Sequence, residues 1–367
     1  MGKKRLLRPE DIKPQPELPT VTPIDDPQWA QNYAWWTQEW TDWDAQFPRG
    51  GFLEDFVLST KGTETATMFA VWTGLSMVST AVNRDSYLSL YPSHWYPNLY
   101  VLLVGLPGIV KKGTILNLGS SILRSYVNHI EDPNLQYKKN IRIHTNRVTP
   151  EGLQDLLAPP LVTPSRNPEL SHVQIDKGSV LGLYVSELAT FLGRQSYNVG
   201  MVSKLTDLYD SLDHDEDYTK KDGSQVLRNI YVTFLAATTP HDLTTVLPEE
   251  AFGGGLMSRT IIVYAEKSHR KHPLPIKLQN APSKVELEKS LAWVAVNSFG
   301  EYTIEQDALA HYYQWYEHFR TTLTETDDVR ILSKSRMDVI LIKLSILIRA
   351  QRYEPGRNIT LRDIRDA

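Results

Sequence analysis

Residues 100–114 read YVLLVGLPGIVKKGT, and the fold turns on how this stretch is read. Tyr100-Val101-Leu102-Leu103-Val104 is an unbroken apolar run ended by Gly105, the pattern of a strand buried on both faces. A tight turn follows, Gly105-Leu106-Pro107-Gly108, and then two lysines, Lys111 and Lys112. Beyond them, residues 115–123 carry apolar side chains at helical spacing. Strand, glycine turn with lysine, and helix together make the context that a phosphate-binding loop requires. Backbone N–H groups of the turn and the positive end of the helix would surround a polyphosphate. A lysine would supply charge to the outer phosphates, and a hydroxyl would supply a ligand for magnesium.

The common spacing of such a loop is G-x-x-x-x-G-K-[ST]. Counted from Gly105, the second glycine is replaced by Val110, the lysine is Lys111, and the hydroxyl position is Lys112. A loop one residue longer makes Lys112 the phosphate lysine, followed by Gly113 and Thr114, and returns a hydroxyl to its neighbourhood. The longer register is preferred here. The alternative is an ordinary turn before a helix, with both lysines in solvent.

The composition bounds the rest. Apolar residues make up 41% of the 367 and charged residues 22%, which excludes a disordered chain. A net charge of -4 excludes strong bulk attraction to nucleic acid but leaves room for a local basic channel. There is no cysteine, so disulfides and thiolate metal sites are excluded. No apolar run reaches the roughly 18 residues of a membrane span, and the charged N-terminus lacks the apolar core of a signal peptide. A soluble, cytoplasmic protein without membrane contact is expected.

Four regions are expected along the chain. Residues 1–27, rich in proline and charge, read as an extended arm. Residues 28–98 read as a helical segment, with Trp29, Trp36, Trp40 and Trp43 at helical spacing and a small-residue helix near 63–81. Within it, residues 87–97 are broken by prolines. Residues 99–267 alternate strands and helices, with further strands at 141–144, 180–187, 230–237 and 260–265. That alternation predicts an α/β core with a mostly parallel sheet covered by helices on both faces. Residues 268–367 read as a C-terminal helical lid. Residues 358–367 begin a further element, as a piece of a longer protein would.

Three further parts of a nucleotide site have candidates. An acidic residue is needed at the end of the strand beside the phosphate loop. VLGLYVSE offers Glu187 to activate water, with Ser186 where a second carboxylate would help hold magnesium. The strand IYVTFLAATT ends at Thr238 and Thr239, either of which could face a γ-phosphate or cap the helix opened by Pro240. A cation would complete the site, supplied by a neighbouring subunit or a lid. Arg259 follows three glycines, and Arg336 and Lys343 are weaker candidates. Separately, the Asp222-Gly223 turn predicts a hairpin carrying Lys220, Lys221 and Arg228, able to touch nucleic-acid phosphates without reading sequence. The ten histidines are scattered, without a metal-binding spacing.

In this order, PNLYVLLVGLPGIVKKGT, VLGLYVSELATFLG, LTDLYDSLD, the YTKKDGS turn, FLAATTP and AFGGGLMSRTIIVYAEK resemble a phage- and plasmid-borne group of P-loop ATPases that are primase-helicase-like. The resemblance runs from about residue 63 to residue 352. It implies a RecA/AAA-like core acting as a hexameric ring on DNA, with a single strand in the central channel, using ATP and magnesium. It also implies that the loop of Gly105, Pro107, Gly108, Lys111, Lys112, Gly113 and Thr114 holds the nucleotide, with Thr114 and Glu187 at the metal. Glu187 would then activate water, Thr238 would sense the γ-phosphate, and Arg259 would act on a neighbouring subunit's nucleotide. The hairpin resembles the DNA-contacting hairpin of superfamily-three helicases. Val110 and Ser186 depart from the group's pattern.

Overall fold

The apolar run forms strand β3 (Tyr100–Gly105), and all six of its residues are buried in the computed structural model. The structure describes residues 47–130, 141–158, 178–193, 197–219, 223–247, 251, 255–270, 272, 274–322 and 335–367. The tryptophans at 29–43 and the lysines of the 220–222 turn lie outside these. The described residues belong to one unit, Gln46–Ala367.

β3 sits inside a five-stranded, all-parallel sheet with β4 (Arg142–His144), β5 (Val180–Val185), β8 (Tyr231–Thr238) and β9 (Thr260–Ala265). The order is β4-β5-β8-β3-β9. Two further strands, β6 (His214–Thr219) and β7 (Gly223–Arg228), pair with each other as the expected hairpin. Parallel neighbours need crossovers, and the helices supply them. α3 (Lys112–Asn128) follows β3, α4 (Pro150–Leu157) follows β4, α5 (Leu188–Leu192) and α6 (Tyr197–Tyr209) follow β5, and α7 (Pro240–Val246) follows β8.

The sheet is covered on both faces because its strands alternate outward directions. Tyr100, Leu102 and Val104 join Leu153, Phe191, Leu205 and Phe234 in one core beneath α4 to α7. The opposite face meets α3 and α2 (Thr67–Val82). α2 is buried nearly all round, as a helix enclosed in a core must be. Its small residues let it approach the sheet, and their hydroxyls satisfy the tyrosines that point at it. Ser79 Oγ lies 3.0 Å from the Tyr231 hydroxyl and 2.9 Å from Thr233 Oγ1, and Thr80 Oγ1 lies 2.9 Å from the Tyr184 hydroxyl. Burial pushes the Tyr184 and Tyr231 pKa values well up, so both stay protonated donors. α1 (Phe52–Thr60) packs on the far side of α2, where Leu53 and Phe56 lean on Gly74.

Three expectations are corrected here. β5 is not beside β3, because β8 is inserted between them. The strand that carries Glu187 is therefore one position further out. Within the 28–98 segment read as helical, the proline-broken stretch forms strands β1 (Ser86–Leu90) and β2 (Ser93–Trp95), an antiparallel pair. The C-terminal region is not purely helical either. Besides α8 (Lys284–Asn297), α9 (Gln306–Thr322), α10 (Met337–Gln351) and α11 (Leu361–Asp366), it contains β10 (Gly300–Ile304) and β11 (Asn358–Ile359). These join β1 and β2 in one sheet ordered β11-β10-β1-β2. The 28–98 and 268–367 segments thus share a sheet, which no local pattern announces because its strands are short and far apart in the chain. Among the described residues, no helix is long and apolar enough to cross a membrane.

Candidate functional site

The direction of the crossovers singles out one place on the sheet. From β3 the chain passes through α3 to β4 at the far edge, and from β8 it passes through α7 to β9 at the other edge. Connections of one hand running in opposite directions lie on opposite faces. The carboxyl ends of β3 and β8 therefore part around a crevice, where open α/β sheets bind ligands.

The stretch 105–112 bridges β3 and α3 at that crevice. Gly105 is fixed by its surroundings: a Cβ there would fall 2.6 Å from Val110 Cγ2 and 2.7 Å from the carbonyl oxygen of Ala265. Replacing it with alanine forces backbone apart, and a loss of about 1–3 kcal/mol in urea-unfolding stability is expected. An unchanged midpoint would show that the turn is looser than its contacts imply. Val110 is fully buried and packs beneath the turn, while Leu106 and Ile109 are exposed. Lys111 caps α3 in the left-handed region, at φ 51°. That backbone is easier for glycine than for lysine, which accounts physically for a glycine at the corresponding position of the usual loop.

The two lysines diverge. Lys111 Nζ lies 3.4 Å from Glu64, in the loop before α2. Lys112 Nζ turns back into the loop and donates to the carbonyls of Gly105 and Leu106, the latter at 3.2 Å. Its pKa is lowered by partial burial, with Asp242 opposing that shift. Thr114 is exposed on the first turn of α3, close to the N–H groups that the helix leaves unpaired. Gly113 has no neighbour within 4 Å of where a Cβ would be, so sterics do not demand glycine there.

Register places the other candidates. Val104 pairs with Thr238, and Val185 pairs with Ala236, so the end of β5 continues to the level of Thr238. Glu187 thus stands at the carboxyl edge two strands from β3, about 10 Å away across the sheet. It is exposed, precedes α5, and accepts a hydrogen bond from Thr190 Oγ1 at 2.8 Å. Ser186 beside it is exposed as well. Thr238 is buried at the tip of β8, while Thr239 caps α7: its hydroxyl accepts from Asp242 N at 3.0 Å and lies 2.7 Å from Asp242 Oδ2. The capping alternative therefore holds for Thr239 and leaves Thr238 as the residue at the strand end.

Asp242 is the residue that inspection of the motifs passed over. It is an electrostatic neighbour of Lys112 from the first turn of α7. Its signal was present as Thr239-x-x-Asp242, a helix-opening pattern just past the carboxyl end of β8.

The remaining cations lie elsewhere. Arg259 ends a short turn just before β9, level with the start of β3, because Tyr100 pairs with Thr260. The length of a six-residue strand, roughly 20 Å, separates it from this chain's own loop. It is largely buried, 3.1 Å from Asp210 and bonded to the Gly255 carbonyl at 3.1 Å. Arg336 also reaches Asp210, and Lys343 is buried against Tyr209. The β6–β7 hairpin is rooted at the same amino end, where Asn229 N donates to Asp213 O at 2.9 Å. Arg228 is exposed near that root. The structure therefore brings together Gly105, Pro107, Gly108, Lys112, Gly113, Thr114, Thr238 and Glu187 at one edge, and sets Arg259 and the hairpin root at the other.

No protein-family model matches the chain, and no curated protein matches it.

Proposed function

We propose that the chain is an ATP-driven, ring-forming DNA motor, a helicase-like ATPase of a phage or mobile element with a P-loop core of the RecA/AAA type. The observation that carries this reading is Lys112: its ammonium is folded into a glycine turn at the diverging strand ends of a parallel sheet. The loop carbonyls of Gly105 and Leu106 hold that charge. A triphosphate would compete for it with far stronger acceptors, drawing Lys112 off the carbonyls while the N–H groups of the turn and of α3 close on the phosphates.

Glu187, held by Thr190, is the group to take a proton from the attacking water, and Thr238 is the hydroxyl level with it on the strand between. Among the described residues no group of three acidic or histidine side chains could hold a metal. Magnesium usually arrives with phosphates and is not caged by protein. Thr114 and Glu187, with Asp242 near, are the residues to hold it, and its chemistry would be charge neutralisation on the phosphate oxygens. Arg259 would serve a neighbouring subunit's nucleotide in a hexameric ring only if its pairing with Asp210 opened.

The test is phosphate release from ATP by the purified chain, with and without single-stranded DNA. Release stimulated by DNA is expected. A second reading has one observation in its favour: Ser186 supplies no carboxylate at the end of β5, and Glu187 already has a hydroxyl partner. On that reading the chain binds ATP without hydrolysis and sets an assembly state. ATP binding without release would select it, and absence of ATP binding would remove both.

The hairpin role makes its own prediction. Replacing Lys220 and Lys221 with alanine should weaken single-strand binding and lower the slope of log affinity against log salt by about 1.4. Basal turnover should be kept. An unchanged slope would remove the hairpin from the DNA path.

A further inference from the structure

At the opposite end of the sheet from the loop, a cleft of about 790 Å³ lies between the β1–β2 hairpin, the turn after α6 and the first turns of α10. Its volume is in the range of small-molecule sites. Its floor carries a charge imbalance. Lys343 is 5% exposed, its Nζ 2.6 Å from Asn98 Oδ1 and 3.8 Å from the centre of the Tyr209 ring. Asp210 meets two guanidinium groups, Arg259 at 3.1 Å and Arg336 at 3.5 Å. The cleft's other carboxylate, Asp213, is paired with Arg84. Two guanidinium groups therefore share the single charge of Asp210, with the Lys343 amine buried close by.

Tyr209, which lines the cleft, is 2% exposed, and its hydroxyl has no hydrogen-bond partner. A buried phenol without a partner is costly unless something arrives to meet it. Burial lowers the Lys343 pKa to about 7, with Asp210 opposing and Arg336 and Arg259 adding repulsion. An anion would relieve that crowding. Above the floor, Tyr91 at the hairpin tip is fully exposed and Trp95 is half-buried, two flat faces at the mouth of a cationic cleft.

We propose that this cleft binds a phosphate monoester joined to a planar ring, with the phosphate on Arg336, Lys343 and the Tyr209 hydroxyl and the ring against Tyr91 and Trp95. Two sources carry that chemistry, a free nucleoside monophosphate and the 5′-phosphorylated end of a nucleic-acid strand. The inference uses no residue of the Lys112 loop and stands whether or not that loop binds ATP.

The experiment is equilibrium binding of AMP and of adenosine to the full chain, repeated in the Lys112→Ala variant so that the loop does not contribute. AMP should bind at least tenfold more tightly than adenosine in both proteins. Arg336→Ala should lower AMP affinity at least tenfold. Tyr91→Ala, which alters a fully exposed ring and cannot disturb the core, should lower it several-fold. A 5′-phosphorylated ten-residue oligothymidylate that displaces AMP at least tenfold better than its 5′-hydroxyl counterpart identifies a strand end as the source. Equal displacement by the two identifies the free nucleotide. Equal affinity for AMP and adenosine, wild-type AMP binding by Arg336→Ala, or loss of AMP binding in Lys112→Ala would overturn the proposal.

Discussion

Lys112→Ala is expected to lower ATP turnover at least a hundredfold, to the limit of detection. The magnitude follows from removing a charge that would meet phosphoryl oxygens where they gain charge, a change that commonly costs about 10²–10³ in rate. The neighbouring lysine is the internal control. Lys111 is drawn to Glu64 and away from the turn, so Lys111→Ala should keep turnover within a few-fold of wild type. Phosphate release and a thermal melt on each variant separate loss of chemistry from loss of fold. Wild-type turnover in Lys112→Ala, or equal damage from both substitutions, would remove the proposed nucleotide site.

Asp363→Ala should cost about 3–5 kcal/mol of stability, the largest effect expected far from the loop. Arg352 and Asp363 are both essentially inaccessible, at 1% and 0% side-chain exposure, with Arg352 Nε 2.7 Å from Asp363 Oδ1. The same guanidinium bonds to Asp366 and to the Arg49 carbonyl at 3.0 Å. Truncating Asp363 leaves a buried charge short of its main partner. It also removes half of the capping box that Thr360 and Asp363 form at the start of α11. Asp363→Asn keeps an acceptor and a similar shape, and should cost less. Urea unfolding measures both, and a loss below about 1 kcal/mol for Asp363→Ala would mean that water reaches the guanidinium once the carboxylate is gone.

The strands of the main sheet were legible because a doubly buried strand must be apolar throughout. Tyr100 to Val104 and the Tyr231 run carry that requirement in their own composition. A cap at Thr239 was one of two open readings, because a hydroxyl before proline serves the next turn of the same chain. The second sheet was not legible. β10 and β11 are five and two residues long, and their partners lie roughly two hundred and roughly fifty residues away in the chain. Asp242 drew no reading of its own until the fold set the start of α7 near Lys112.

The sequence alone determined an α/β protein with a parallel sheet and a lysine-bearing turn behind its first central strand, because burial and turn geometry are local demands on residue type. Tertiary structure alone decided that β8 separates β5 from β3, that Lys112 and not Lys111 enters the turn, and that Arg259 lies at the other end of the sheet. These outcomes depend on strand order and on which distant carboxylate, Glu64 or Asp210, stands within reach of a cation. A chain read in one dimension does not carry that distance.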